Sequence, residues 1–275
     1  MGGVGSGWFA SAGHVSHKTV DTLQWQKDRE VYKNLPNRYD VFDTLNAGEN
    51  AEYTSINKYC NAHESGYKLI NKVMRGQDIA NATDRFGHPL EIWDTNANGY
   101  ISGESMLKTV NDDIYNINTA MDKTPLRGDV VTYRGIPEEL ANNLIAGKTI
   151  TDNAFQSTSL DLKVAARFAW VHSQNNGKQT VNVLEIQSKK GDGAIFSNDY
   201  NEAEVLLKGG QYKAVEYTTA GVIETPDGNI PTYGLPTRII RVEKVPVTEP
   251  QTIYSKKESP VYDQSQMVSS GSTPV

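Results

Sequence analysis

The sequence predicts an α+β fold in which helices come first and a mostly antiparallel sheet system follows. Apolar residues recur at helical spacing in the first part of the chain, whereas β-branched and aromatic runs dominate from about residue 126 to residue 246. Runs of helices followed by runs of strands are typical of α+β domains. At 275 residues and 37% hydrophobic content, the chain has enough material for a sizeable core.

Composition narrows the function classes. A formal net charge of -6 argues against a general nucleic-acid binder, which needs a basic face. Cys60 is the single cysteine, so neither an intrachain disulfide nor a cysteine-based zinc site is expected. No apolar run approaches the ~20 residues of a membrane helix, and the glycine-rich start lacks the pattern of a signal peptide. We expect a soluble chain without a membrane span, and the compartment stays open.

The N-terminal part predicts a flexible arm followed by a helical layer. Residues 1–16 are rich in Gly, Ser and His, and no strand precedes their glycines as a nucleotide-binding loop would require. Apolar spacing predicts helices over about 18–35, 50–62 and 67–74, and Gly76 is a natural stop for the last one. The helical layer is assigned to residues 17–125.

The segment from Asp94 to Ser102 has two interpretations. Oxygen-bearing side chains at its positions 1, 3 and 5 and a glycine at position 6 resemble the start of a calcium loop. However, position 12 is Ser105, and the acid Glu104 comes one residue early. An Asn/Asp/Gly-rich turn before a helix over about 103–121 explains the same residues, and the sequence leaves calcium binding open.

Residues 126–246 are predicted to form the catalytic core, and residues 247–275 a disordered, polar tail. Asp161 is well placed to cap the helix predicted from residue 162, and Gly147 should close the helix predicted over 137–145. The predicted elements are strands over 130–134, 155–159, 181–186, 215–222 and 238–245, helices over 137–145 and from residue 162, and a loop over 188–200.

Two glutamates separated by one residue follow that loop. As a strand, Glu202-Ala203-Glu204 would place both carboxylates on one face, with backbone carbons roughly 7 Å apart. Like charges side by side on a sheet face repel one another. Either both are solvated, or a ligand lies between them.

Two further polar motifs precede this pair. Tyr133-Arg134-Gly135 ends one strand, and Ser157-Thr158-Ser159 forms another. The arginine motif lies about 23 residues before the serine motif, and the serine motif about 45 residues before the glutamate pair. In this order and spacing, the three motifs resemble the Arg–Ser–Glu class of mono-ADP-ribosyltransferases, which contains the enzymatic subunits of binary actin-modifying toxins and phage-encoded transferases. The resemblance covers about residues 67–246, and residues 67–71 look like a helix found upstream in these enzymes.

The resemblance implies two packed, mostly antiparallel sheets around an NAD cleft, with NAD as co-substrate and no metal. It implies that Arg134 binds the pyrophosphate, for which a bidentate guanidinium is well suited, and that Gly135 lies against the nicotinamide carboxamide. Glu204, held by Ser157, would stabilise the oxocarbenium-like cation. The residues placed around the cofactor are Tyr133, Arg134, Gly135, Ser157, Thr158, Ser159, Phe168 and Glu204; for Phe168, core packing on a helix explains the spacing equally well.

The first glutamate of the pair is the residue that sets the acceptor in this class. Glutamine there accompanies asparagine acceptors in the Rho-modifying relatives, so Glu202 implies transfer to arginine on a target protein. A carboxylate can orient a guanidinium and take its proton. Phe196 and Tyr200, in the loop ahead of the pair, are candidate contacts to that target, with loop packing as the alternative.

Two other functions remain open at this level. An NAD glycohydrolase would cleave the cofactor without marking a protein. A phage structural or adaptor module would keep the fold without turnover, which the Gly/Ser arm and the polar tail allow. The sequence names no target protein, and a delivered toxin with a partner chain or a phage protein made in the host cytoplasm fits equally well.

Overall fold

The computed structural model describes residues 18–19, 50–60, 66–84, 86–94, 97–175, 177, 180–197, 202–220, 223–225, 228–229 and 235–246. The predicted arm and tail lie outside these residues. The helices are α1 Ala51–Cys60, α2 Gly66–Met74, α3 Gly103–Lys123, α4 Glu138–Ile145 and α5 Leu162–Asn175. The strands are β1 Lys18–Thr19, β2 Glu91–Asp94, β3 Gly99–Ser102, β4 Val130–Gly135, β5 Ile150–Asp152, β6 Gln156–Ser159, β7 Val181–Ser188, β8 Ala194–Ser197, β9 Glu204–Leu207, β10 Gly210–Ala220, β11 Ile223–Thr225, β12 Gly228–Asn229 and β13 Thr237–Val245.

The predicted α+β class is confirmed. Eight strands share one hydrogen-bonded order, β5-β10-β13-β7-β4-β6-β9-β8. Every neighbouring pair in it is antiparallel except β13 and β7. A single pair of partners, Tyr133 and Ser159, joins β4 to β6. The sheet is therefore two halves, of five and three strands, that meet at one point.

Helices cover these halves in a way that follows from strand alternation. Val183 and Ile239 pack with the alanines of α5, whereas their neighbours Leu184 and Ile240 pack with Leu144 of α4. Successive side chains of a strand point to opposite faces, so α4 and α5 lie on opposite sides of the five-stranded half. The three N-terminal helices share a hydrophobic cluster with the three-stranded half, which confirms the helical layer. This cluster includes Ile56, Ile70, Ile117, Phe155, Ile195 and Leu206.

Local signals at the helix ends are confirmed in detail. Gly76 has φ +75°, and its N–H donates to the Val73 carbonyl at 2.8 Å while the next N–H bonds to Lys72 at 2.9 Å. This pairing is a Schellman motif. Gly147, with φ +82°, closes α4. The Asp161 carboxylate accepts a 2.7 Å hydrogen bond from the Lys163 N–H and so caps α5.

Two expectations about the connecting segments change, and the turn interpretation of the Asp94 segment gains support. Lys18–Thr19 form a short strand parallel to β11, not the start of a helix; the rest of the predicted helix 18–35 lies outside the described residues. The predicted loop 188–200 contains β8, which pairs with β9. The Asp94 segment is a hairpin turn between β2 and β3, in which the Asp94 carboxylate accepts bonds from the Ala97 N–H and the Thr109 hydroxyl, both at 3.0 Å.

Candidate active site

The site begins where β4 and β6 diverge. After the shared position of Tyr133 and Ser159, ladder pairing between the two strands stops. Arg134 spans the gap instead: its Nη1 donates to the Ser157 carbonyl at 2.6 Å. Among the described residues this is the one hydrogen bond of its guanidinium, which carries five N–H donors. A half-buried cation with further N–H donors therefore lies where β4 and β6 separate.

Ser157 contacts both the Arg134 guanidinium and the carboxylate of Glu204. It is the exposed residue of β6, and its hydroxyl donates a hydrogen bond to Oε1 of Glu204, the first residue of β9. Residues from three strands thus converge: Arg134 contacts the backbone of Ser157, and Ser157 contacts the carboxylate of Glu204. These are three of the four residues to which the sequence motifs assigned a catalytic role, and they lie together.

Glu202 is placed differently from the expectation. β9 begins at Glu204, so Glu202 precedes the strand, and Ala203 has φ +45°. The predicted strand alternation across the pair is therefore wrong. A left-handed conformation is uncommon for an alanine, and long-range hydrogen bonds fix it in place: the Leu160 N–H donates to the Ala203 carbonyl at 3.1 Å, and the Ser159 hydroxyl donates to the Glu202 carbonyl at 2.6 Å.

The hydroxyls of Thr158 and Ser159 both donate hydrogen bonds to backbone carbonyls of the segment from Glu202 to Val205. The Thr158 hydroxyl donates to the Val205 carbonyl at 2.6 Å. The Ser159 hydroxyl, besides binding Glu202, accepts the Asp161 N–H at 2.9 Å, which ties the segment to the start of α5. Both side chains are buried. Their described contacts hold the glutamates in place, and a part in the nicotinamide pocket stays a prediction.

The carboxyl of Glu202 lies in an environment that opposes its charge. Burial raises the pKa of this carboxyl above its ordinary value, and the positive charge of the exposed Arg167 on α5 acts against that rise. Among the described residues, no side chain donates a hydrogen bond to this carboxylate. The acid is partly desolvated and has a cation near it without a direct ion pair.

Tyr133 and Gly135, which flank the arginine, make packing contacts. The Tyr133 side chain is buried in the cluster beneath α5. A Cβ on Gly135 would lie 2.6 Å from the Ala169 nitrogen and 2.8 Å from the Ala165 carbonyl oxygen. The described structure therefore requires glycine at position 135 because α5 crosses β4 in direct backbone contact. Contact of either residue with a cofactor stays a prediction.

The remaining predicted site residues separate into three cases. Phe168 lies on α5 and is half-buried, so both of its interpretations stay open. Phe196 lies in β8 with 7% of its surface exposed and belongs to the core around Val205. This placement favours packing over contact with a target. Tyr200 lies outside the described residues.

Two sets of polar contacts near the start of β6 were not predicted from the sequence. The Arg75 guanidinium, directly after α2, donates two hydrogen bonds of 2.9 and 2.8 Å to the buried Asp152 carboxylate of β5. Burial opposes the charge of this carboxyl, but Arg75 and, to a smaller extent, Arg134 hold its pKa below the ordinary value. Tyr59 of α1 hydrogen-bonds to Asn71 and to the Phe155 carbonyl. Helical spacing marks Tyr59 as a core residue but gives no sign of its polar partners.

Two further observations concern metal ions and membrane spans. In the part of the chain that the structure describes, no group of three or more His, Cys, Asp or Glu side chains is arranged to hold a metal ion. No described helix combines the length and apolar character that a membrane span requires.

The family model of the ADP-ribosyltransferase exoenzymes matches residues 24–229 of the chain. This match covers three quarters of the 275 residues and includes all three motifs of the site. The chain therefore belongs to the ADP-ribosyltransferase exoenzyme family. No curated protein matches the chain.

Several solved structures are similar in fold. BECa, the ADP-ribosylating toxin of a binary enterotoxin of C. perfringens, solved with NADH, is 19% identical, with a TM-score of 0.49 over 81% of this chain and 48% of BECa. C2-I, the enzymatic component of the Clostridium botulinum C2-toxin, is 16% identical (TM-score 0.42, 77% and 50% covered). Vis toxin from Vibrio splendidus is 21% identical (TM-score 0.47, 89% and 97% covered). The chain thus spans about half the length of BECa and C2-I.

Proposed function

We propose that the protein is a mono-ADP-ribosyltransferase that moves ADP-ribose from NAD to an arginine side chain of a target protein and releases nicotinamide. The observation that carries this proposal is the convergence of Arg134, Ser157 and Glu204 at the point where the two halves of the sheet separate. Family membership supports the reaction class. The choice of arginine as acceptor rests on Glu202.

In this proposal Arg134 binds the pyrophosphate of NAD. Its guanidinium is always charged and makes forked hydrogen bonds to phosphate oxygens. One N–H holds the Ser157 carbonyl, which fixes the plane of the guanidinium and leaves further donors for the ligand. The same contact ties the phosphate-binding group to the strand whose serine holds the catalytic acid.

Glu204 then stabilises the transition state of bond cleavage. When the bond between nicotinamide and C1′ of the ribose breaks, its electron pair leaves with neutral nicotinamide and a positive charge develops on the ribose. A carboxylate preorganised beside that charge lowers the barrier because it needs no reorganisation during the reaction. The Ser157 hydroxyl holds one oxygen of Glu204 in place.

Glu202 completes the reaction by handling the acceptor. A guanidinium nitrogen of the target forms a new bond to C1′ and loses a proton, which Glu202 accepts. The raised pKa of its carboxyl makes it a stronger base than an ordinary glutamate. A substrate guanidinium would also give this half-buried carboxylate the ion pair that no described side chain provides.

Two matched variants test the assignment, with agmatine as a small guanidinium acceptor. Glu204→Gln should abolish both nicotinamide release and transfer. Glu202→Gln should abolish transfer to agmatine but retain much of the slow NAD hydrolysis measured without acceptor. Full activity of Glu204→Gln would refute these roles. NAD cleavage by the wild-type chain without label on agmatine or on any protein of a lysate would indicate a glycohydrolase instead.

A further inference from the structure

Tyr59 is a buried phenol directly beneath the start of β6. It is 3% exposed. Its ring packs edge-on against Phe155, with centroids 5.7 Å apart, and against Tyr67 at 6.2 Å. Phe155 is fully buried and immediately precedes β6. Tyr59 therefore connects the helical layer to the strand that carries Ser157.

The hydroxyl of Tyr59 has two partners. The Asn71 amide nitrogen lies 3.0 Å from it, the Phe155 carbonyl oxygen 3.3 Å and the Asn71 amide oxygen 3.4 Å. A phenol has one proton to donate. Two oxygens can accept that proton, and because the Phe155 carbonyl is the nearer of them, we assign the donated bond to it. Asn71 is itself buried and donates to the phenol oxygen through its amide nitrogen.

This bond acts two residues from the reaction site. The Phe155 carbonyl begins the short segment that ends at Ser157, whose carbonyl accepts the Arg134 bond and whose hydroxyl binds Glu204. The segment is thus held at Phe155 by Tyr59 of the helical layer and at Ser157 by Arg134 of β4. Burial raises the pKa of the phenol, and the charges of Arg134 and Glu204 act on it in opposite directions.

Packing alone does not explain the hydroxyl. Phenylalanine would keep both ring contacts, whereas a buried hydroxyl must be satisfied by designated partners. The attachment of α1 to the helical layer has its own polar anchor one turn earlier: the Ser55 hydroxyl donates to Asp113 at 2.6 Å and accepts from Asn116 at 3.1 Å. Among the described contacts of α1, the bond from Tyr59 to the Phe155 carbonyl reaches the residue that immediately precedes β6.

We infer that Tyr59 is a positioning residue for the transferase reaction. Through the Phe155 carbonyl it sets the position of Ser157, and with it the position in which Glu204 meets the ribose. This inference rests on the proposed function, because it concerns the same site. It adds a residue of the N-terminal layer to the machinery carried by the sheet.

The test compares Tyr59→Phe with Ser55→Ala. Both remove one buried hydroxyl from the same face of α1, but the Ser55 bonds do not reach β6. For Tyr59→Phe we expect kcat for NAD hydrolysis and for transfer to agmatine to fall together by about tenfold, the loss that one unmade buried hydrogen bond produces, with KM for NAD within about twofold of wild type. Ser55→Ala should keep wild-type kcat, although its melting temperature falls to a similar extent.

The outcomes separate this inference from the proposed function. If Tyr59→Phe loses thermal stability but keeps wild-type kcat, the hydroxyl has only a structural role and the inference is refuted. If wild type cleaves NAD but does not label agmatine, the arginine proposal fails, and the hydrolysis rates still decide the role of Tyr59. If wild type cleaves no NAD at all, both proposals are refuted.

Discussion

Replacing Ser157 by alanine isolates the contact that links the cation to the acid. The change removes the hydroxyl that binds Glu204 but keeps the backbone carbonyl that accepts the Arg134 bond. A hydrogen bond to a charged group is worth about 1.5–3 kcal/mol. If that amount is lost from the transition state, kcat for NAD cleavage falls by roughly 10- to 150-fold. Because Ser157 is exposed, water can replace part of the contact, and we expect the lower half of that range.

The assay for Ser157→Ala is nicotinamide release from NAD, measured without acceptor so that Glu202 does not enter the rate. Ser173→Ala is the matched control, because this buried serine binds the Ala169 and Thr180 carbonyls instead of a glutamate. The control should lose stability but keep its rate per folded molecule. A Ser157→Ala variant within twofold of the wild-type rate would show that Glu204 needs no help from the serine.

Two further predictions follow from close contacts and charge. Gly135→Ala should destabilise the fold by about 1–3 kcal/mol or more in urea denaturation, because its Cβ would lie 2.6 Å from the Ala169 nitrogen; Gly99→Ala, whose nearest contact would be 3.8 Å away, is the control that should stay close to wild type. Arg167→Gln removes the charge that favours ionised Glu202 and should raise the pKa of that carboxyl further. Since transfer needs the ionised form, the acid limb of agmatine transfer should move to higher pH while that of NAD hydrolysis stays; an unmoved limb would contradict the coupling.

Local sequence signals predicted much of the fold because the structures they specify are themselves local. Gly76 and Gly147 end helices by adopting positive φ, and Asp161 caps one through its own side chain. Each depends on residues within a few positions in the chain. Runs of β-branched and other apolar residues likewise located β4 and β7 to within two residues, since these strands are largely buried.

The missed features depend on partners far away in the sequence. β8 has only four residues, and its pairing with β9 makes it a strand. Phe196 looks like a loop aromatic until β8 places it in the core. The bond from Tyr59 to the Phe155 carbonyl joins residues 96 positions apart, and no spacing rule along the chain indicates such a contact.

Ala203 shows how one backbone angle gives two neighbouring acids different surroundings. In a regular strand, both carboxylates would project from the same face about 7 Å apart and repel one another. The left-handed turn at Ala203 removes Glu202 from the strand and leaves it where burial raises the pKa of its carboxyl. Glu204 stays in β9 and binds the Ser157 hydroxyl. Pairs of acids in contrasting environments are how active sites divide charge stabilisation from proton transfer, and the strain of a positive φ at alanine is the kind of cost retained at functional sites.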